Sequence, residues 1–194
     1  AHASTEGLAH LLPAYAGRAM EKELKALDAA LGNPEKPVAA VVGGAKVSSK
    51  LAVLEHLVKL VDHLIIGGGM AYTFWKAQGK MIGNSLCEED RLPLALELLE
   101  KAKAKGVHIH LPIDSTIADK FAADAQTTNC ESFGIPDGWM GLDIGVKSRE
   151  HFATIIAQSK TVLWNGPMGV FEMEAFAAGT IAVANALVEA TKNG

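Results

Sequence analysis

Short, unbroken apolar runs alternate along the chain with longer stretches in which apolar residues recur every three or four positions. The first long stretch, Ala14 to Leu31, places Met20, Leu24, Leu27 and Leu31 at helix spacing with charged residues between them, and Gly32-Asn33-Pro34 stops it. "PVAAVVGG" then reads as a short buried strand closed by glycines, and "SSKLAVLEHLVKLV" returns to a helical period. The unit recurs as "HLIIGGG" before "MAYTFWKAQG", as "KGVHIHLPID" after the helix "RLPLALELLEKAKAK", and as "KTVLWNG" before "EAFAAGTIAVANALVEATKN".

Strands of this length alternating with such helices predict an α/β domain: doubly wound, Rossmann-like and three-layered, with a mostly parallel sheet covered on both faces and right-handed crossovers. Between Phe121 and Met140 the pattern lapses into polar and turn-forming residues, which reads as a long surface loop. There is no internal repeat, low-complexity tract or linker, so one domain is expected over 1–194.

The 194 residues are 49% hydrophobic and carry a formal charge of -4, enough for a sizeable core. Lys and Arg are spread rather than clustered, which argues against nucleic acid and an anionic membrane surface as partners and makes any phosphate site local. Cys87 and Cys130 stand far apart with no CxxC, so packing thiols in a reducing, cytoplasmic compartment are expected rather than a disulfide scaffold. No apolar run approaches the roughly 18 residues of a membrane span, and "AHASTEGLAH" has neither the basic region nor the apolar core of a signal peptide. The chain opens without Met and closes on "VEATKNG" straight after a helical pattern; the expectation is a piece of a longer protein.

In an open parallel sheet, ligands sit beyond the carboxyl ends of the strands. Those ends read Gly43-Gly44-Ala45-Lys46, Gly67-Gly68-Gly69-Met70, Asp114, Gly141-Leu142-Asp143 and Asn165-Gly166-Pro167. One Gly-Gly is by itself a turn. Three glycine-rich ends on one edge argue for a ligand close to the backbone, near helix N-termini whose free amides bind anions. Lys46 and Lys50 in "GGAKVSSK" are four apart at an expected helix start, which puts both ammonium groups on one face. They repel by about a few tenths of a kcal/mol and oppose the helix dipole. A phosphate chain removes both objections, whereas a solvated surface pair tolerates them.

Neither GxxxxGK[ST] nor GxGxxG occurs. His108 and His110 share a strand face, but no carboxylate or Cys is spaced to complete a metal site, so no metal ligands are assigned. Asp114 and Asp119 suit turns and caps as well as acid chemistry. Met20, Trp75 and Trp139 read as core or core-edge residues. No Ser-His-Asp or Cys-His arrangement is supported.

The blocks "AHAST", "MEKEL", "GGAKVSSK", "IIGGGMAYTF", "GWMGLDIG", "WNGPMGVFE" and "FAAGT" run in this order across essentially the whole chain. With them the sequence resembles the C-terminal, nucleotide-binding domain of the phosphoglycerate kinases. The resemblance implies reversible phosphoryl transfer in glycolysis, from 1,3-bisphosphoglycerate to ADP-Mg, giving 3-phosphoglycerate and ATP. Lys46 and Lys50 are then the lysines that meet the nucleotide phosphates, with Lys50 nearest the transferring group and catalytic; Gly44 and Ala45 belong to the same turn. Such a phosphoryl group needs positioning and positive charge more than covalent help. Asn165 becomes a donor to the phosphates, Gly166 permits close approach, Pro167 and Val170 wall the pocket, and Glu172 accepts from the ribose hydroxyls. Gly67, Gly68, Gly69, Gly141, Leu142 and Phe121 line the adenine slot.

The same resemblance places an Mg-holding aspartate in a GGGDT turn after a further strand, a phosphoglycerate-binding basic patch in an N-terminal domain, and an arginine just before "AHAST", all outside residues 1–194. Mg-ADP or Mg-ATP is therefore the implied cofactor, with its Mg ligand elsewhere. Residues 1–194 alone are expected to bind ADP or ATP weakly without turnover, since domain closure needs the other half. The alternative is a non-catalytic nucleotide-binding α/β domain; a dehydrogenase-type domain is disfavoured by the missing GxGxxG.

Overall fold

The computed structural model describes residues 3, 4, 6–131 and 134–193. Ala1, His2 and Thr5 of the "AHAST" block, Ser132 and Phe133 of the expected loop, and Gly194 lie outside the described residues. The chain divides into two compact units, residues 1–34 and 35–194.

The first unit carries α1 (Arg18–Gly32), which starts at Arg18 rather than Ala14 because Gly17 at its N-cap is extended, at φ -68° and ψ 164°. Glu21 and Lys25, one turn apart, form an exposed ion pair at 2.6 Å. No residue of α1 is buried, and Met20, expected at the core or its edge, is 58% exposed.

The second unit runs β1 (Val38–Val42), α2 (Leu51–Leu57), β2 (His63–Ile66), α3 (Met70–Ala77), β3 (Met81–Ile82), α4 (Leu92–Ala104), β4 (His108–His110), β5 (Asp114–Ala118), β6 (Thr127–Glu131), β7 (Gly134–Ile135), β8 (Met140–Ile144), α5 (Val146–Gln158), β9 (Thr161–Asn165) and α6 (Ala178–Asn193). Four strands form a parallel sheet in the order β4-β2-β1-β9. Alternate residues of the central strands point to opposite faces. Val38, Ala40, Val42, Leu64 and Ile66 pack on Leu54, Leu57, Phe74 and Leu98 of α2, α3 and α4. Val41 and Ile65 face Phe152, Ile155, Ile156 and Val183 of α5 and α6. Burial on both faces makes β1 an unbroken apolar run, and each buried large side chain contributes about 1.5–3 kcal/mol. The doubly wound, three-layer α/β expectation holds.

Two local readings are corrected. "KGVHIHLPID" is not one strand: β4 ends at His110, and Asp114 begins β5 in a different, antiparallel sheet of order β6-β5-β8. Pro112, which has no N–H to donate to a ladder, marks the break. The expected loop from Phe121 to Met140 contains β6, paired with β5 from Asp114↔Glu131 to Ala118↔Thr127, and β7, which pairs with β3.

Candidate functional site

The chain leaves β1 for β2 and β4 on one side, while β9 lies on the other, so the carboxyl ends of β1 and β9 form a topological switch point. Loops from the carboxyl ends of β1, β2 and β9 are stitched together there, and to β8, through backbone; Gly141, Leu142 and Asp143, expected beyond a strand end, lie inside β8. Gly43 N–H donates to Asn165 O at 2.9 Å, Gly68 N–H to Met168 O at 3.0 Å, Met70 N–H to Gly44 O at 3.0 Å and Val170 N–H to Leu142 O at 2.9 Å. This contact leaves no room for side chains: a Cβ on Gly43 would lie 1.9 Å from Pro167 O, and Gly166 adopts φ +97° with its Cβ position 2.3 Å from Gly43 O.

Beside the switch point opens a cleft of about 680 Å³. Of the residues assigned from sequence, Gly44, Ala45, Gly68, Gly69, Phe121, Gly141, Leu142, Pro167, Val170 and Glu172 line it. Gly67, Gly166, Lys46, Lys50 and Asn165 do not; Gly67 faces Met168 and Gly166 faces Gly43 within the packed loops. Lys50 Nζ donates to Asn165 Oδ1, so these two assigned residues meet beside the cleft. Lys46 is exposed on the same turn.

The two lysines are not paired by a helix face, contrary to what their spacing predicts. α2 begins at Leu51, Lys50 is its N-cap, and Lys50 N–H closes a turn onto Val47 O at 2.9 Å. Lys46 and Lys50 thus do not share a helix face; a turn carries them, and Asn165 fixes Lys50.

Tyr72, Asn84, Leu86, Met140, Gly169 and Met173 also line the cleft and were not singled out from sequence. Tyr72 sits within the apolar pattern of α3, which reads as core. Its hydroxyl lies 2.7 Å from Ser115 Oγ, which donates to Asp143 O at 2.8 Å. Ser85 Oγ accepts from Gly141 N–H at 2.9 Å and holds the strand end in place.

Two buried aspartates anchor helices around this floor. Asp143 accepts from Gly179 N–H at 2.7 Å in the first turn of α6 and from Ile144 N–H at 2.8 Å. Burial pushes its carboxyl up to about 6, against the pull of these amides. Asp114 takes Lys147 N–H and Ser148 N–H at 2.9 and 2.8 Å, at the start of α5. Asp119 accepts from Gln126 N–H at 2.9 Å. Cap and turn roles account for both aspartates considered from sequence.

His108 and His110 join His63 and His151 on the α5 side of the sheet. His63 Nδ1 lies 3.1 Å from His110 Nε2, the His63 and His108 rings stack at 5.5 Å, and His110 meets His151 at 5.3 Å. Burial, then the neighbouring imidazoles, pushes His110 down to about 4. Among the described residues, no three His, Cys, Asp or Glu side chains are grouped to hold a metal ion. Cys87 and Cys130 are free thiols packed against the Trp75 cluster, and burial pushes both up. A further groove of about 720 Å³ between α5, α6 and β9 reaches Ser159 and Lys160, at the opposite end of the strands.

The family model for phosphoglycerate kinase matches residues 1–194. A cytosolic phosphoglycerate kinase of Nicotiana tabacum is 58% identical over 195 residues, covering 100% of this chain and 49% of that protein. Phosphoglycerate kinase 1, chloroplastic, of Arabidopsis thaliana is 56% identical over 195 residues, covering 100% and 40%. The solved phosphoglycerate kinase structure from Coxiella burnetii matches with a TM-score of 0.86 and 46% identity over 89% of this chain and 45% of that one. The one from Pyrococcus horikoshii OT3 gives 0.79 and 29%, over 95% and 47%. The chain spans about half the length of the curated relatives it matches. No helix among the described residues is long and apolar enough to cross a membrane. Matched along all its residues by the family model, with a fold shared with solved members, the chain belongs to the phosphoglycerate kinase family.

Proposed function

We propose that residues 1–194 belong to the nucleotide-binding, C-terminal domain of a phosphoglycerate kinase, and that the cleft takes ADP or ATP. The observation that carries this reading is the meeting of the β1, β2 and β9 carboxyl ends with β8 at one cleft, with the Lys50–Asn165 pair next to its Gly44 wall. Adenine lies between the Gly68–Gly69 backbone and Leu142, Val170 and Phe121, an apolar slot suited to a flat base. Glu172 accepts from the ribose. The phosphates reach the turn of Lys46 and Lys50, where they replace Asn165 as the partner of Lys50. The remaining donors of Asn165 then turn to the phosphates.

In this reading Lys50 stabilises charge on the phosphoryl group in flight, and Lys46 holds the ground-state phosphates. Mg²⁺ bound with the nucleotide would neutralise phosphate charge, and none of the residues assigned in this chain is proposed to hold it. The 1,3-bisphosphoglycerate or 3-phosphoglycerate binds the other half of the protein, and the reaction is the reversible glycolytic transfer to ADP. A cytosolic location is supported by the name of the tobacco relative, and a plastid one by the chloroplastic relative.

The test is calorimetric titration of the whole protein with Mg-ADP, followed by a coupled assay with ATP and 3-phosphoglycerate. Binding with turnover is expected. Binding without turnover would favour a non-catalytic nucleotide-binding domain, and absence of binding would overturn the reading.

A further inference from the structure

The turn that carries Lys46 and Lys50 is closed on itself by Ser49 Oγ, which donates to Lys46 O at 2.8 Å, and by Lys50 N–H onto Val47 O, but these bonds do not fix it to the rest of the site. Lys50, at the N-cap of α2, makes no capping bond through its side chain. The amides of the preceding turn are instead met from 40 residues away: Ser48 N–H donates to Glu88 Oε2 at 2.9 Å and Ser48 Oγ to Glu88 Oε1 at 2.5 Å. Both carboxylate oxygens are engaged, so the grip fixes rotation of the turn as well as its distance. Glu88 is fixed in turn, because its own N–H donates to Oγ1 of Thr73, a buried residue of α3, at 3.2 Å. Burial would push the Glu88 carboxyl up, but hydrogen bonds from Ser48 and Val47 outweigh it and hold the group below its ordinary value. The clamp is thus an ionised post at neutral pH.

We infer that Glu88 is a positioning residue for phosphoryl transfer: through Ser48 it holds the Lys46–Lys50 turn at the height where both ammonium groups meet the phosphates. This rests on the nucleotide reading of the cleft. The carboxylate touches no reacting atom. It acts by preorganisation, and a displacement of about 1 Å in such a site costs on the order of 100-fold in rate.

The experiment is steady-state kinetics on the whole protein carrying Glu88→Ala, Glu88→Gln, Ser48→Ala or the double change Glu88→Ala/Ser48→Ala, with thermal melts alongside. Glu88→Ala should lower kcat by about 10- to 100-fold and, because the same turn carries Lys46, raise KM for the nucleotide by a smaller factor. Glu88→Gln, which keeps one accepting oxygen, should recover part of the rate. The double variant should be no worse than Glu88→Ala, because the two residues act as one unit. A kcat within twofold of the parent in Ser48→Ala and Glu88→Gln overturns the inference, even where Glu88→Ala fails to fold. So do losses that multiply in the double variant. A parent protein that binds no nucleotide sinks the nucleotide reading itself.

Discussion

Gly43→Ala adds one methyl group at the point where the β1 and β9 loops touch, and the structure sets its cost. The new Cβ would lie 1.9 Å from Pro167 O, 2.7 Å from Pro167 C and 2.8 Å from Met168 Cε, against a floor of 3.0 Å for real contacts. The Pro167 backbone must therefore retreat by about 1 Å, an overpacking strain of about 1–3 kcal/mol. The retreat weakens the bonds from Gly43 N–H to Asn165 O and from Gly68 N–H to Met168 O, each worth about 0.5–1.5 kcal/mol. With both bonds lost these come to about 2–6 kcal/mol, which lowers Tm by on the order of 10 °C. Gly79→Ala is the control: Gly79 has φ +80° but open space around it, so it carries only the backbone penalty of about 1–2 kcal/mol. Thermal and urea unfolding of the whole protein, followed by tryptophan fluorescence, compares the two, with KM for ADP measured in parallel. Gly43→Ala should be the less stable variant and should also raise KM, since Pro167 lines the cleft. Equal melting of the two variants with unchanged KM would refute the packed-loop account.

Three further outcomes are expected. Lys50→Ala should lower kcat about 100-fold or more, on the order of 3 kcal/mol, with little change in ADP affinity, while Lys46→Ala raises KM more than it lowers kcat; kcat within a few-fold for Lys50→Ala would break the assignment. Glu172→Ala should weaken binding of ADP more than of 2'-deoxy-ADP in calorimetry, and equal losses would make its role structural. Asp143 and His110 should act oppositely on stability. The Asp143 carboxyl titrates near 6 folded against 3.8, so the native state holds the extra proton and stability falls as pH rises through that window. His110, ringed by His63, His108 and His151, titrates near 4 folded against 6.5, so stability falls as pH drops through that window. Urea unfolding of Asp143→Asn from pH 7 to 4 should expose the His110 loss, on the order of 1–2 kcal/mol once solvent screening of this partly exposed group is allowed for. His110→Gln should show the opposite slope, and pH-independent stability in both variants would contradict the assignment.

β1 was legible because burial on both faces writes an uninterrupted apolar run into the sequence, and the glycines at the strand ends mark where backbone meets backbone. β6 was not, because Thr127 to Glu131 is mostly exposed and shows no apolar alternation; only its ladder to β5 defines it. The lysine pair was found by spacing, but its geometry comes from Asn165, 115 residues beyond Lys50. The Ser48–Glu88 and Tyr72–Ser115 contacts span 40 and 43 residues and leave no local pattern to read. Asp143 stands in the sequence as a polar residue expected at a strand end; it lies inside β8, and its grip on α6 depends on the close approach of Gly179.

The central claim is that ADP occupies the cleft at the switch point with its phosphates on the lysine turn. A crystal structure of the whole protein with Mg-ADP tests it most directly. Adenine is predicted against Gly68, Gly69, Leu142 and Val170, with Lys50 Nζ released from Asn165 Oδ1 and about 2.7–3.2 Å from a phosphate oxygen. An ordered nucleotide in the groove between α5, α6 and β9, or one in the cleft with its phosphates turned away from Lys50, would contradict the account.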